Sequence, residues 1–177
     1  PEHMKIYEDI AFFSRLFPYC KRIKNIKKIF YHYIQRNNSS IKIIDDSIIL
    51  DTEEIVKIIN KNITILNLMS KFRDEYCAFV MRMFSVESYK LYSYSNNSDI
   101  QKKYIKRLIN SDILSIRENY KIFNTNYTYD VAHKISLVSL KISNCNPKIY
   151  HIVYKYLLKA KKQSANMYKV FKSILKK

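Results

Sequence analysis

The sequence predicts an all-α protein, a single compact domain of eight or nine helices with one short β-hairpin near residues 41–50. Apolar side chains recur three and four residues apart through most of the chain, which is the spacing that lines one face of an α-helix. The chain contains no glycine, and asparagine, which tolerates the left-handed conformation that ends a helix, separates the apolar stretches. With 177 residues and 47% hydrophobic content, the chain is long enough to bury a core of its own.

The predicted domain spans residues 5–177, because the first four residues, Pro-Glu-His-Met, are typical of a cloning-site remnant. Pro18 ends the first helix, and a break near Ser70 divides the longest helical stretch, since few globular helices exceed about 25 residues. The predicted helices cover residues 5–17, 19–36, 51–94, 99–110, 111–123, 128–143 and 146–177.

Capping residues support three of these helix starts. Asp51, with Glu54 three residues later, resembles a capping box, and Ser98 with Gln101 repeats the pattern. Asn146 precedes a proline, which is the favoured order of a capping residue and a first helical residue.

The hairpin is predicted where Asp45 and Asp46 interrupt the apolar residues 41–44 and 47–50. An Asp-Asp pair without glycine makes a poor two-residue turn. Carboxylates beside a strand can also hold Mg²⁺, as in nuclease active sites, but no basic partner motif follows here. Turn and cap roles therefore account better for these acids and for Asp51.

The composition excludes several classes of enzyme. Without glycine the chain cannot form a P-loop, a Rossmann fingerprint, a glycine-rich kinase loop or a G-x-S-x-G nucleophile elbow, because each needs glycine where a Cβ would clash. His133, Cys145 and His151 lack the closely spaced pairs of a zinc site, and the three cysteines indicate reduced thiols. We therefore expect no catalytic residues, no metal and no cofactor.

Membrane insertion and secretion are not expected either. The longest strongly apolar uncharged stretch, residues 62–70, is far shorter than the roughly 20 residues that span a bilayer. Glu8 and Asp9 interrupt the region where a signal peptide would be apolar. These patterns predict an intracellular protein, cytoplasmic or nuclear, without a transmembrane segment.

The net charge of +17 is concentrated in the C-terminal part. Residues 99–177 carry seventeen basic and four acidic side chains, whereas residues 1–98 carry fifteen and eleven. No acidic residue follows Asp130, and none lies between residues 10 and 44, where there are eight basic ones. Such segments create a positive potential that attracts phosphates.

Helical spacing places one run of these cations on a single face of the last helix. Lys148, His151, Lys155, Lys159 and Lys162 recur at intervals of three and four, opposite an apolar face formed by Ile149, Ile152, Val153, Tyr156 and Leu157. The predicted polyanion contacts are Lys21, Arg22, Lys24, Lys27, Lys28, Lys148, Lys155, Lys159, Lys162 and Lys169. Three tyrosines are predicted to stack on unpaired bases, namely Tyr150, Tyr154 and Tyr168.

A compact, glycine-poor helical domain of this length also resembles the Bcl-2-like host-modulating proteins of poxviruses. Residues 112–116 (DILSI) and 131–140 (VAHKISLVSL) are similar in apolar spacing to their groove helices. The resemblance implies a module whose groove receives an amphipathic helix of a host protein. The Asn-Trp-Gly-Arg-type motif of the cellular relatives is absent, and the positive charge departs from the family.

The sequence thus predicts a non-enzymatic binding protein that contacts nucleic acid or another polyanion through basic helices. The abundance of Ile, Lys, Tyr and Asn indicates an AT-rich genome, such as that of a large DNA virus. A helical module that binds a host or viral protein is the alternative. A third possibility is a solvated lysine-rich face, because the same codon bias favours lysine.

Overall fold

The computed structural model describes residues 3–28, 46–111, 116, 118–119 and 131–163, and every regular element in these residues is helical. The predicted all-α class is confirmed for this part of the chain. Its α-helices are α1 (Glu8–Leu16), α2 (Asp46–Ile65), α3 (Met69–Tyr94), α4 (Ser98–Asn110), α5 (Val131–Ser143) and α6 (Pro147–Gln163). The predicted count of eight or nine helices is not confirmed, and most of the helix predicted over residues 111–123 lies outside the described residues.

Backbone contacts divide the chain into two compact units, residues 1–68 and 69–177. The first contains α1 and α2, and the second contains α3 to α6.

In the first unit, α1 packs against α2. Glu8 and Asp9 lie in the first turn of α1 and Arg15 in its last turn, so that their charges oppose the helix dipole. A single 3₁₀ turn, Phe17–Tyr19, closes the helix, and Pro18 within it stops the helical hydrogen bonding as predicted. Ala11 is fully buried on the side of α1 that faces α2.

The predicted hairpin is wrong, because α2 begins at Asp46. Ile48 and Ile49 are buried and continue the apolar face of Ile55, one to two helical turns later, so the pattern has the helical period rather than the alternation of a strand. The Thr52 hydroxyl donates a hydrogen bond of 2.7 Å to the Ile48 carbonyl, which ties this first part of α2 together. Residues 41–45 lie outside the described residues.

Asp51 does not cap a helix, contrary to the capping-box prediction. It is buried within α2, and its Oδ2 accepts hydrogen bonds from the backbone N–H groups of Lys5 (2.9 Å) and Ile6 (3.1 Å). Met4, assigned to a cloning remnant from the sequence, is buried as well. Asp51 therefore holds the beginning of the chain against α2.

The helix predicted over residues 19–36 is also wrong for the part that the structure describes, since residues 20–28 have no regular structure. Ile23 and Ile26, expected to face inward, are exposed. Like charges three and four residues apart, such as Lys24 and Lys28, repel each other on a helix, and no acidic residue in this segment relieves the repulsion.

The break predicted near Ser70 is confirmed. The turn after α2 contains Asn67 in a left-handed conformation (φ 53°), and α3 begins at Met69. Phe72 departs from helical angles (φ −119°, ψ 26°), so α3 is kinked in its first turn.

In the second unit, α5 packs between α3 and α6, and α6 also packs against α4. Aromatic rings join these helices: Phe84 of α3 lies edge-on to Tyr150 of α6 with 5.5 Å between ring centroids, and Tyr92 lies 4.6 Å from Tyr154. Four serines of α3 and α5 are fully buried in the same core, namely Ser85, Ser88, Ser136 and Ser139.

The asparagines end and begin helices in the second unit. Asn146 caps α6 as predicted, since its Oδ1 accepts from the N–H groups of Lys148 (3.0 Å) and Ile149 (3.3 Å). The cap of α4 is Asn97 rather than the predicted Ser98. Asn144 and the following Cys145 both adopt left-handed angles (φ 46° and 59°) in the turn between α5 and α6.

None of the described helices combines the length and the apolar composition that a bilayer crossing requires.

Candidate functional site

The buried face of α6 differs from the predicted one. Tyr150 and Tyr154 are fully buried, whereas Ile149, Ile152 and Tyr156 are 45, 67 and 65% exposed. The true face is rotated from the predicted face by about one residue position, roughly 100° around the helix. The sequence prediction placed these tyrosines at the surface as stacking platforms, but their rings pack against Phe84 and Tyr92 of α3.

Tyr150 and Tyr154 are therefore unavailable for stacking on bases, and that prediction is wrong. Their rings stack on each other instead, with centroids 5.4 Å apart. Burial raises the pKa of both hydroxyls well above the usual range, so both stay neutral.

The predicted basic contacts are exposed wherever the structure describes them. In the first unit these are Lys21, Arg22, Lys24, Lys27 and Lys28. On α6 they are Lys148, Lys155 and Lys159. The side chain of Lys162, together with Tyr168 and Lys169, lies outside the described residues.

A concave cavity of about 660 Å³ lies between α4 and the beginning of α6. We call it the lysine groove, after the four lysines in its lining, Lys102, Lys103, Lys106 and Lys148. The other described residues that line it are Asn110, Asn146, Pro147, His151 and Ile152.

The sequence interpretation identified Lys148 but missed the three lysines of α4. Their spacing offered a signal, because positions 102, 103 and 106 share one side of a helix whose opposite side carries Tyr104, Ile105 and Leu108. What the sequence could not supply is the packing of α4 against α6, which brings Lys148 to the same cavity.

The electrostatics of the lysine groove favour an anion. Among the residues that the structure describes, no acidic side chain lines the groove. Asp99, in the first turn of α4, lies 3.5 Å from the Lys102 ammonium, but both side chains are largely exposed and such a pair is weak. The first turn of α6 also contributes, although the Asn146 cap already accepts from two of its N–H groups. The lysines are thus the main source of the positive potential.

His151 forms the buried end of the groove lining. Its Nδ1 lies 2.8 Å from the Tyr92 hydroxyl oxygen, and its Nε2 lies 3.4 Å from the Ser98 hydroxyl oxygen. Burial lowers the pKa of the imidazole, and the nearby Lys155 and Lys102 lower it further. Since burial raises the pKa of Tyr92, its hydroxyl keeps its proton and can donate to Nδ1 of a neutral imidazole.

No metal site or activated thiol stands out among the residues that the structure describes. No three His, Cys, Asp or Glu side chains in this set are grouped to hold a metal ion. The Cys77 thiol donates a hydrogen bond to Asn119 Oδ1 (3.0 Å), and burial raises its pKa, which disfavours the nucleophilic thiolate.

The apolar stripe of α5, which was compared by its sequence spacing with a groove helix of the poxvirus proteins, forms core in the second unit. Ile135, Leu137, Val138 and Leu140 are all buried. Residues 112–115 lie outside the described residues. The α5 helix therefore offers no open apolar groove for a helix of a host protein, which the alternative function would require.

Comparison with known proteins adds no relative: no family model matches the chain, and no curated protein or solved structure matches it significantly.

Proposed function

We propose that the protein is a non-enzymatic nucleic-acid-binding protein and that the lysine groove holds phosphates of the nucleic-acid backbone. The observation that carries this proposal is the convergence of Lys102, Lys103, Lys106 and Lys148 from two helices on one cavity, whose described lining contains no acidic residue.

Convergence in a cavity distinguishes this site from a solvated lysine-rich face. Lysines on an ordinary surface avoid one another and are interspersed with acids, because close like charges raise the free energy of folding. A cleft lined by charges of one sign concentrates the electrostatic potential, because its protein walls have a lower dielectric constant than water. Such a cleft attracts anions. Phosphates that bind in the groove neutralise these like charges and release counterions.

A single strand fits this surface better than a duplex. Tyr156 lies one helical turn beyond Ile152, a groove residue, and its ring is exposed beside Lys155 and Lys159. An exposed aromatic ring next to a track of cations is the arrangement that binds an unpaired base while the backbone is neutralised. Tyr156 thus takes the role that the sequence assigned to Tyr150 and Tyr154.

The test is the salt dependence of binding to a labelled single strand, measured by fluorescence anisotropy. The variant Lys102→Gln, Lys103→Gln, Lys106→Gln and Lys148→Gln keeps helix propensity and a side chain of similar polarity. Because this variant cannot neutralise the four phosphates, its slope of log affinity against log salt should be flatter than that of the parent by about three units, at roughly 0.7 per phosphate of a single strand.

A matched control separates the groove from net charge. Lys57, Lys61, Lys71 and Lys141 are exposed lysines outside the lysine groove, and changing them to Gln removes the same four charges. We expect the control variant to keep the parent slope to within about one unit. Equal flattening in both variants, or a parent that fails to bind a single strand near physiological salt, contradicts the proposal.

A further inference from the structure

The first unit exposes a cluster of large apolar side chains on α1 and in the segment that follows it. Each member is between 45 and 72% exposed. The members are Phe12, Phe13, Leu16, Phe17, Tyr19, Ile23 and Ile26. Single exposed apolar side chains are common on proteins, but a contiguous group marks a surface that contacts something other than water.

Three phenylalanine rings of this cluster form one continuous aromatic surface. Phe12 and Phe13 meet edge to face with centroids 5.5 Å apart, and Phe13 stacks on Phe17 at 5.2 Å. Phe12 lies about 100° and Phe13 about 200° around α1 from the fully buried Ala11, and packing against α2 leaves both rings exposed. Phe17 follows in the 3₁₀ turn.

Five cations follow this aromatic surface directly. Residues 21–28 contain Lys21, Arg22, Lys24, Lys27 and Lys28 and no acidic residue, and all five side chains are exposed. Ile23 and Ile26 lie between them and are themselves exposed. We call residues 12–28 the aromatic–basic segment.

We propose that the aromatic–basic segment binds the surface of an anionic lipid bilayer, with the phenylalanines entering the interface and the cations contacting the lipid headgroups. Stable attachment of a protein to a membrane surface usually needs two signals, and this segment carries both an apolar group and a polybasic stretch. The proposal is independent of the lysine groove, which belongs to the other unit.

The aliphatic members favour lipid over nucleic acid as the partner. Leu16, Ile23 and Ile26 have no π face on which a base can stack, whereas acyl chains accept aliphatic and aromatic side chains alike. Phe13 and Phe17 already cover one face of each other's rings.

A tryptophan reporter tests insertion, because the natural chain contains no tryptophan. In Phe12→Trp, the emission should shift to shorter wavelength when vesicles of phosphatidylcholine with roughly one-third phosphatidylserine are added, and should not shift with pure phosphatidylcholine. The matched control is Tyr94→Trp, at an exposed aromatic position on α3, whose emission should stay unchanged.

Vesicle co-sedimentation then measures the contribution of the cluster. Phe12→Gln, Phe13→Gln and Phe17→Gln together should lower the partition coefficient by at least about tenfold, since three apolar side chains no longer enter the interface. The control substitutes three exposed apolar residues elsewhere, Ile65→Gln, Tyr94→Gln and Ile142→Gln, and should partition like the parent. Circular dichroism checks that both variants remain helical.

Three outcomes overturn the proposal. The parent does not sediment with the anionic vesicles, the Phe12→Trp emission stays unshifted, or the two triple variants partition equally. A triple phenylalanine variant that loses single-stranded RNA binding while the parent ignores vesicles identifies the segment as a base-stacking surface instead.

Discussion

Replacing Tyr92 with phenylalanine removes one hydroxyl from the buried side of the lysine groove and leaves the ring in place. The hydroxyl oxygen lies 2.8 Å from His151 Nδ1, and the two residues are only 7 and 6% exposed. Because the ring volume is kept, no large cavity forms, and the main cost is a buried imidazole nitrogen without a partner. We expect the free energy of unfolding to fall by about 1–3 kcal/mol.

The loss of stability in Tyr92→Phe should depend on pH, because it arises only when the His151 imidazole is neutral and accepts a hydrogen bond at Nδ1. An unfolded histidine titrates near pH 6.5, and burial, followed by Lys155 and Lys102, lowers the pKa of His151 in the folded protein. The contribution of neutral His151 to the free energy of unfolding is therefore complete above about pH 6.5. It is lost as the pH falls below that value toward the pKa of His151 in the folded protein. Parent and Tyr92→Phe lose this contribution alike while His151 stays neutral in the folded protein, so the difference between them should shrink only as the pH falls through the lowered pKa of His151.

Urea denaturation followed by circular dichroism measures this difference as a shift of the midpoint at constant slope. Tyr94→Phe makes the same chemical change at an exposed residue two positions away and should leave the midpoint unchanged. The reasoning is refuted if Tyr92→Phe is as stable as the parent at neutral pH, or if its cost grows rather than shrinks as the pH is lowered.

Two further predictions concern buried polar groups. Ser139→Ala should raise the free energy of unfolding by about 1 kcal/mol in thermal denaturation, because this fully buried hydroxyl has no hydrogen-bond partner among the described residues. Asp51→Ala should lower the stability of the first unit by about 2–4 kcal/mol, because two backbone N–H groups lose their acceptor. Amide hydrogen exchange at Lys5 and Ile6 should become faster, and unchanged exchange would show that Asp51 does not hold these residues.

Local signals predicted those elements whose boundaries depend on nearby residues. Pro18 ends α1, and Asn146 with the following proline starts α6, because these residues act on the backbone of their own turn. The three-and-four spacing likewise located α4 and α5 to within a few residues.

Features that depend on distant residues could not be predicted in this way. The orientation of α6 is decided by rings from α3, such as Phe84 and Tyr92, which surround Tyr150 and Tyr154. The role of Asp51 depends on N–H groups 45 and 46 residues away. The lysine groove combines α4 and α6, so neither helix alone indicates the cavity.

The turn between α5 and α6 has a consequence for ligand binding. Asn144 and Cys145 hold two successive left-handed conformations that other proteins commonly assign to glycine. Each Cβ costs about 1–2 kcal/mol in this conformation, which a glycine would not, so the packing of α5 against α6 must hold the turn in place. The same packing fixes the start of α6, and with it the backbone of Lys148, before any ligand arrives. We expect such preorganisation to keep the entropic cost of binding an anion in the lysine groove small.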